Sequence, residues 1–244
     1  MAVVTWDGSS STLYSTAANW DTGSVPGDGD DVVIPDTSSI NACNVRSNDS
    51  CNSLTVLSNG EIGSDNGSKL AILGEADGTG VTNDGYAVKI DGVITDNTTT
   101  SIDFDIRTQA ATNIDLQATS GKVRNVVINH ASCVATLDAL LDISGNLTIT
   151  AGELNTNSGS NYALTVTGDV DISGTLTGNA SAISMGSLTI NSGGTYSATS
   201  GTTTITSETS GGVAVSVASS ATFTHNSGTV EIQTPAATFT SAVT

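Results

Sequence analysis

The segment SIDFDIR contains the residues of this chain that are best placed to do chemistry. Its polar residues Asp103, Asp105 and Arg107 alternate with apolar ones, and a strand places alternate side chains on the same face. We expect Asp91 and Asp115 on neighbouring strands of the same sheet. Two carboxylates about 5–10 Å apart can hydrolyse a glycosidic bond, so these four aspartates are the candidate catalytic residues if the protein is an enzyme. A solvated acidic face, partly neutralised by Arg107, explains the same residues and is the preferred interpretation.

A second group of carboxylates lies in PGDGDD, where Asp28, Asp30 and Asp31 follow one another closely. Carboxylate oxygens are the ligands that Ca²⁺ prefers, so the three residues are a candidate calcium site. The downstream glutamate and the ligand spacing of an EF-hand loop are missing. A turn with solvated acids is therefore preferred, and calcium is the one cofactor that we retain as a candidate.

The cysteines and histidines do not form a recognisable reactive group. Cys43 and Cys51 are near enough in sequence to pair in an oxidising compartment, but with Cys133 the count is odd, and three buried thiols are the better interpretation. His130 lies near Cys133 without an orienting third group, so we interpret it as a turn residue, and His225 is far away. Phosphate-loop, nucleophile-elbow and zinc-protease motifs are absent. We expect no catalytic activity.

The charge excludes several classes of partner. In 244 residues, 24 acids oppose 6 bases, which gives a formal charge of −18, and no lysine or arginine follows Arg124. Such a surface repels phosphate backbones and anionic lipid, so we expect no nucleic acid and no membrane insertion.

The first residues, MAVVTWDG, lack the basic and apolar regions of a secretory signal. This start favours a protein assembled in the cytoplasm, unless a leader was removed.

Alternating β-branched residues and small turns recur along the chain and predict an all-β fold. Phrases such as SLTVLSNGEIGS, NLTITAGELNTNS and SLTINSGGTYSATS share this pattern, and steps from Leu147 to Val170, Leu188 and Val215 are roughly 18 to 27 residues, which is typical of stacked repeats. Aromatic residues are only 4% of the chain, which disfavours the broad core of a β-sandwich or an antiparallel barrel. We predict a parallel β-solenoid, with the sandwich as the alternative.

The bulky residues are concentrated at the N-terminus, where a solenoid needs a cover. Trp6, Tyr14, Trp20 and the Val25-Pro26 corner can form an apolar cap over the first coil; a sugar-binding platform is the alternative. We predict a capping segment over 1–35 and a solenoid over 36–244.

The final TVEIQTPAATFTSAVT offers no cover for the last coil. We therefore expect that either the natural chain continues past Thr244 or the last coil docks on another subunit.

The segment TWDG…STAANWDTGSVPGDGDDVVIP, followed by LTV…NGEI coils, resembles the opening of right-handed parallel β-helix proteins. Such openings occur in autotransporter-type passengers, bacterial surface adhesins and phage appendage proteins. The resemblance is specific over the first 35 residues and loose beyond them. It implies a right-handed parallel β-helix and an exposed location, and it assigns no catalytic residue.

These observations predict a non-enzymatic structural or adhesion β-solenoid of an exposed fibre or appendage. A phage virion protein (a fibre, decoration or tail-appendage component) is the favoured identity. A secreted bacterial adhesin, passenger or filament protein is one alternative, and a tailspike-like polysaccharide lyase or hydrolase is the other. The expected location is the virion surface or the cell exterior. The expected partners are other copies of the chain, other virion or surface proteins, or a cell-surface glycan.

Overall fold

The computed structural model describes residues 1–76, 85–95, 101–234 and 238–241. Apart from one 3-10 turn at Ala17–Asn19, its regular elements are strands. The strands are β1 (Val3–Thr5), β2 (Asp31–Ile34), β3 (Cys43–Asn44), β4 (Asp49–Cys51), β5 (Ser53–Val56), β6 (Glu61–Gly63), β7 (Lys69–Ile72), β8 (Tyr86–Ile90), β9 (Val93–Thr95), β10 (Asp103–Ile106), β11 (Ala111–Asp115), β12 (Val126–Leu137), β13 (Leu141–Ile143), β14 (Leu147–Asn155), β15 (Leu164–Ile172), β16 (Thr175–Thr177), β17 (Ile183–Ile190), β18 (Thr195–Ser197), β19 (Thr202–Ile205), β20 (Val213–Val217), β21 (Thr222–Thr224), β22 (Thr229–Ile232) and β23 (Thr238–Ser241).

The strands form three parallel stacks, and the chain visits each stack once per coil. Stack 1 runs β1–β2–β5–β8–β11, then through the second halves of β12 and β14 to β16–β18–β21. Stack 2 holds β3–β6–β9 and then β13, the first halves of β15 and β17, β19 and β22. Stack 3 holds β4–β7–β10, the first halves of β12 and β14, the second halves of β15 and β17, and β20–β23. The fold is a β-solenoid, as predicted, and it has about eight turns.

The coil-to-coil register follows the predicted repeat. Leu147 pairs with Val170, Val170 with Leu188, and Leu188 with Val215. The strand pairings of the described residues are parallel, and the antiparallel contact between them is a single bridge near the N-terminus. A sandwich of antiparallel sheets is therefore excluded.

Alternation along the strands directs one set of side chains into the core, although in β2 and β5 all four residues are buried and in β10 Asp105 is buried as well. In β10 the apolar residue Phe104 and its neighbour Ile106 are buried, as is Ile102 just before the strand. In stack 1, Leu154, Leu176 and Tyr196 lie at successive levels of the core and have no exposed surface. Each coil shields the apolar side chains of its neighbours, which is why a narrow core of small residues is sufficient.

The corners between strands bring the backbones of successive coils into close contact. Two glycines with the same positive φ allow the cost of this close contact to be distinguished from the cost of backbone strain. Gly121 has φ +78° and Gly193 has φ +80°, but a Cβ on Gly121 would lie 1.8 Å from the carbonyl oxygen of Ile94, whereas one on Gly193 would meet nothing within 4 Å. Alanine at either position costs about 1–2 kcal/mol of left-handed strain. We expect Gly121→Ala to cost about 1–3 kcal/mol more because of overpacking. Urea unfolding of both variants measures this difference, and equal losses would contradict it.

Candidate functional site

The aromatic residues of the first coils pack against one another at the N-terminal end. The rings of Trp6 and Trp20 are 5.0 Å apart, those of Tyr14 and Trp20 are 4.9 Å apart, and both pairs are edge-to-face. The indole of Trp6 donates to the carbonyl of Asn41 at 2.7 Å, and that of Trp20 donates to the carbonyl of Tyr14 at 2.8 Å. The three rings are buried, and Pro26 is buried as well. This arrangement is consistent with the predicted cap.

The same segment also covers the free backbone edge of the first strand. Trp6 and Trp20 form an antiparallel bridge. The Asp21 N–H donates to the carbonyl of Thr5 at 3.0 Å, and the Asp21 carboxylate accepts from the Thr5 N–H at 3.0 Å. These contacts occupy the outward N–H and C=O of Thr5, which hinders a further strand from pairing at that end of β1.

The opposite end of the described coils is open. Strands β21, β22 and β23 each pair with the preceding coil on one side, and no described strand pairs with their other edge. Their core-facing side chains are only partly covered: Phe239 is 57% exposed, Phe223 is 36% exposed, and Val230 and Ile232 are half-buried. We call these four side chains and the three free edges the C-terminal face. The prediction that the chain continues past Thr244 or docks there on another subunit concerns a position outside the described residues.

The carboxylates of β10 are engaged in ion pairs. The Lys69 ammonium and the Arg107 guanidinium donate to one oxygen of Asp105 at 2.8 and 2.6 Å. The Asp105 side chain is only 1% exposed. Among the residues that the structure describes, its second oxygen and the Arg107 Nε have no hydrogen-bond partner. Burial alone would raise the pKa of Asp105, but the hydrogen bonds and charges of Arg107 and Lys69 outweigh it and hold that pKa below its ordinary value.

Asp103 belongs to a ladder of polar side chains along one edge of stack 3. Its carboxylate accepts from the Asn125 N–H at 3.1 Å, the Asn125 side-chain oxygen accepts from the Asn146 N–H at 2.8 Å, and the Asn146 oxygen accepts from the Asp169 N–H at 2.9 Å. The hydroxyl of Ser187 then donates to Asp169 at 2.6 Å. Each rung joins one coil to the next, so these polar groups stabilise the stacking.

The other two candidate aspartates lie on stack 1. Asp91 follows β8 and is 4.0 Å from the Lys89 ammonium, and Asp115 lies opposite Lys89 in the strand register. Burial is the main cause that raises the pKa of Asp115. Nearby, the hydroxyl of Tyr86 donates to Asp138, a residue that the sequence analysis did not select. The structure therefore divides the four predicted aspartates into two pairs on different stacks.

The three aspartates of PGDGDD each have separate partners. Asp30 accepts from the Gly27 N–H at 2.9 Å, and Asp28 accepts from a serine hydroxyl. One oxygen of the buried Asp31 accepts from the side chains of Asn52 and Ser53 at 2.7 and 2.6 Å. Its other oxygen has no hydrogen-bond partner in the described part of the chain. Across the ranges that the structure describes, no three histidine, cysteine or acidic side chains are grouped to hold a metal ion. The calcium site remains a prediction.

All three cysteines are free and buried. Burial raises the pKa of the Cys43, Cys51 and Cys133 thiols, which disfavours the reactive thiolate. The hydroxyl of Thr108 donates to Cys133 at 3.1 Å. His130 lies within β12, at the register shift between Asn129 and Val134, and accepts from the Ser132 N–H at 3.2 Å. It is therefore a strand residue and not the turn residue that the sequence predicted.

Every basic side chain is paired with a carboxylate. The six lysines and arginines of the chain all lie among the described residues, in the ion pairs Arg46–Asp65, Lys69–Asp105, Lys89–Asp91, Arg107–Asp105, Lys122–Asp142 and Arg124–Asp103. The excess acids are left without a basic counterpart.

Comparison of the chain with protein-family models, with curated proteins and with solved structures found no match. Within the described part of the chain, no helix has the length and apolar character needed to cross a membrane.

Proposed function

We propose that this chain is a non-enzymatic structural rod in an exposed fibre or appendage, in the first instance a fibre, decoration or tail-appendage component of a phage virion. The observation that carries the proposal is the parallel pairing of successive coils through about eight turns, which is uninterrupted in stacks 1 and 3. A rod of this kind holds its two ends at a fixed separation, because strands of each coil are hydrogen-bonded to strands of the next.

The use of the carboxylates on β10 supports a structural role. Asp105 is enclosed by two bases, and Asp103 is bonded to Arg124 and to the polar ladder of stack 3. A catalytic acid or base must reach the substrate, whereas these groups are occupied in joining neighbouring coils. Neutralisation of every base also favours an uncharged or cationic partner over a phosphate-rich one.

Immunogold electron microscopy of the native source tests this proposal. Antibodies raised against the 244-residue chain should label projections on intact virions. Pre-adsorbing the antibodies with the purified chain is the control, and should abolish the labelling. Label on the cell envelope would assign the rod to a secreted bacterial adhesin, passenger or filament instead. Label confined to soluble cell contents would contradict an exposed role.

An assay on polysaccharides tests the enzymatic alternative. We expect no release of reducing ends or unsaturated products from capsular or pectic polysaccharides, because the candidate aspartates are divided between two stacks. Asp105→Asn and Asp115→Asn are the informative variants, and Asp36→Asn, at an exposed carboxylate away from both pairs, is the matched control. Turnover that Asp105→Asn or Asp115→Asn abolishes, but Asp36→Asn does not, would make the protein a depolymerase.

A further inference from the structure

A cavity of about 210 Å³ opens on the outer face of stack 2, in the first coils of the rod. Gly63 of β6 pairs with Asn44 of β3 on one side and with Thr95 of β9 on the other. These three positions face outward, because the neighbouring Ile62 and Ile94 are buried in the core. Since glycine has no side chain, a hollow remains over Gly63 between the side chains of the adjacent coils.

Two carboxylates of β6 and its end line this cavity, and they differ in how their charge is neutralised. The guanidinium of Arg46 donates to both oxygens of Asp65. Glu61 accepts from the hydroxyl of Thr95 through one oxygen, and it takes part in none of the ion pairs that engage the six bases of the chain. The cavity therefore contains one carboxylate with an uncompensated charge, and one oxygen of that carboxylate is available to a ligand.

These features favour a primary ammonium group as the ligand. A guanidinium binds a carboxylate best through two parallel hydrogen bonds, whereas an ammonium is a compact point charge that one free oxygen can accept. An ammonium donates three hydrogen bonds. The side-chain oxygens of Asn44 and Thr12 also line the cavity and can accept the two that Glu61 does not. Ala42, in the same wall, offers an apolar surface for the alkyl stem that carries the charge.

The size and the lining of the cavity favour a lysine side chain over an amino sugar. Pockets for small molecules usually enclose about 300–1,000 Å³ and are lined mainly by apolar and aromatic side chains. This cavity is smaller, and none of the described residues that line it is aromatic. The lysines of the chain itself, Lys69, Lys89 and Lys122, are already in ion pairs. The ligand is therefore expected from a different protein.

We propose that the cavity over Gly63 binds the ammonium group of a lysine side chain on a partner protein. The inference adds a docking site to the proposed rod and gives the chemistry of the group that binds there. Because the rod carries a formal charge of −18, its surface also attracts a basic partner over a longer range. Added salt should weaken the binding by screening this attraction.

An NMR titration of the intact, ¹⁵N-labelled chain with Nα-acetyl-lysine N-methylamide tests the proposal. We expect the backbone amide signals of Asn44, Gly63 and Thr95 to shift in a saturable way. The same compound acetylated at Nε, which has lost its charge, is the ligand control and should leave these signals unchanged. Glucosamine, which carries its ammonium group on a sugar ring, should bind more weakly than the lysine compound.

Glu61→Gln should raise the dissociation constant of the lysine compound at least about fivefold, because the hydrogen bond to a charged acceptor is lost. Glu231→Gln is the matched control, since Glu231 is an exposed carboxylate on the same stack in β22, and it should leave the constant unchanged. The spectrum of each variant shows whether the fold is kept.

Three results would overturn the proposal: unshifted amides around Gly63, equal binding of the Nε-acetylated compound, or binding that Glu61→Gln does not weaken. Tighter binding of glucosamine than of the lysine compound would also overturn it, and would assign the cavity to an amino sugar. Each of these results would leave the immunogold labelling of projections unaffected, so failure here differs from failure of the proposed function.

Discussion

Trp20→Ala is expected to lower the free energy of unfolding by about 3–5 kcal/mol, the range for removing a buried aromatic side chain. Trp20 is 2% exposed, and it contacts both other rings of the cap. Removing the indole exposes the apolar end of the first coil and weakens the Trp6–Trp20 bridge beside β1. Because each coil contacts only its neighbours, the loss should be concentrated in the first coils.

Urea unfolding followed by far-UV circular dichroism measures the total loss, and hydrogen exchange locates it. We expect faster exchange of the β1 and β2 amides and unchanged exchange in β15 and β17. Leu140→Ala is the control, since Leu140 is 42% exposed and its truncation should change stability by no more than about 0.5 kcal/mol. An effect of Trp20→Ala as small as that of the control would show that the aromatic cluster does not cap the rod.

Replacing both Lys69 and Arg107 by methionine is expected to destabilise the fold by about 3–5 kcal/mol near neutral pH, because it leaves a buried charge without a partner. The two bases are 34% and 41% exposed, but the Asp105 side chain that they enclose is only 1% exposed. Methionine keeps the apolar stems that cover the aspartate, so the charge and its hydrogen bonds are the main losses.

The dependence of this loss on pH identifies its cause. In the native protein the two bases hold the pKa of Asp105 below its ordinary value, so their stabilisation is present above the ordinary pKa and is lost as the pH falls through the native pKa. In the double variant, burial alone acts and raises the pKa of Asp105, which lowers stability as the pH rises. The difference between the two proteins should therefore be largest near neutral pH and shrink below about pH 4.

The triple variant that adds Asp105→Asn is the matched control. The amide carries no charge, so the triple variant should recover most of the stability lost near neutral pH. Residue 105 should then no longer contribute to the pH dependence of stability. Urea unfolding at neutral and acidic pH measures all three proteins. If the double variant were equally destabilised at both pH values, the buried charge would not be the cause.

The local pattern of the sequence was sufficient to predict the all-β solenoid fold. Alternation assigned the faces of Phe104 and Ile106, and the recurrence of one short phrase predicted that Leu147, Val170 and Leu188 would lie at successive levels. Both depend on neighbours in sequence and on the two-residue period of a strand. The aromatic cluster at the N-terminus was also predictable, because the rest of the chain has no tryptophan to cover an end.

Only the tertiary structure decided which polar groups meet. Lys69 and Asp105 are 36 positions apart, whereas Arg124 and Asp103 are 21 positions apart, because the coils differ in length. The number of residues in the intervening coil determines which side chain an outward residue meets on the next coil. Because the turns differ in length, that number cannot be read from the sequence pattern. For this reason the sequence predicted four aspartates on one face. The folded chain places two on each of two stacks and buries one of them between a lysine and an arginine.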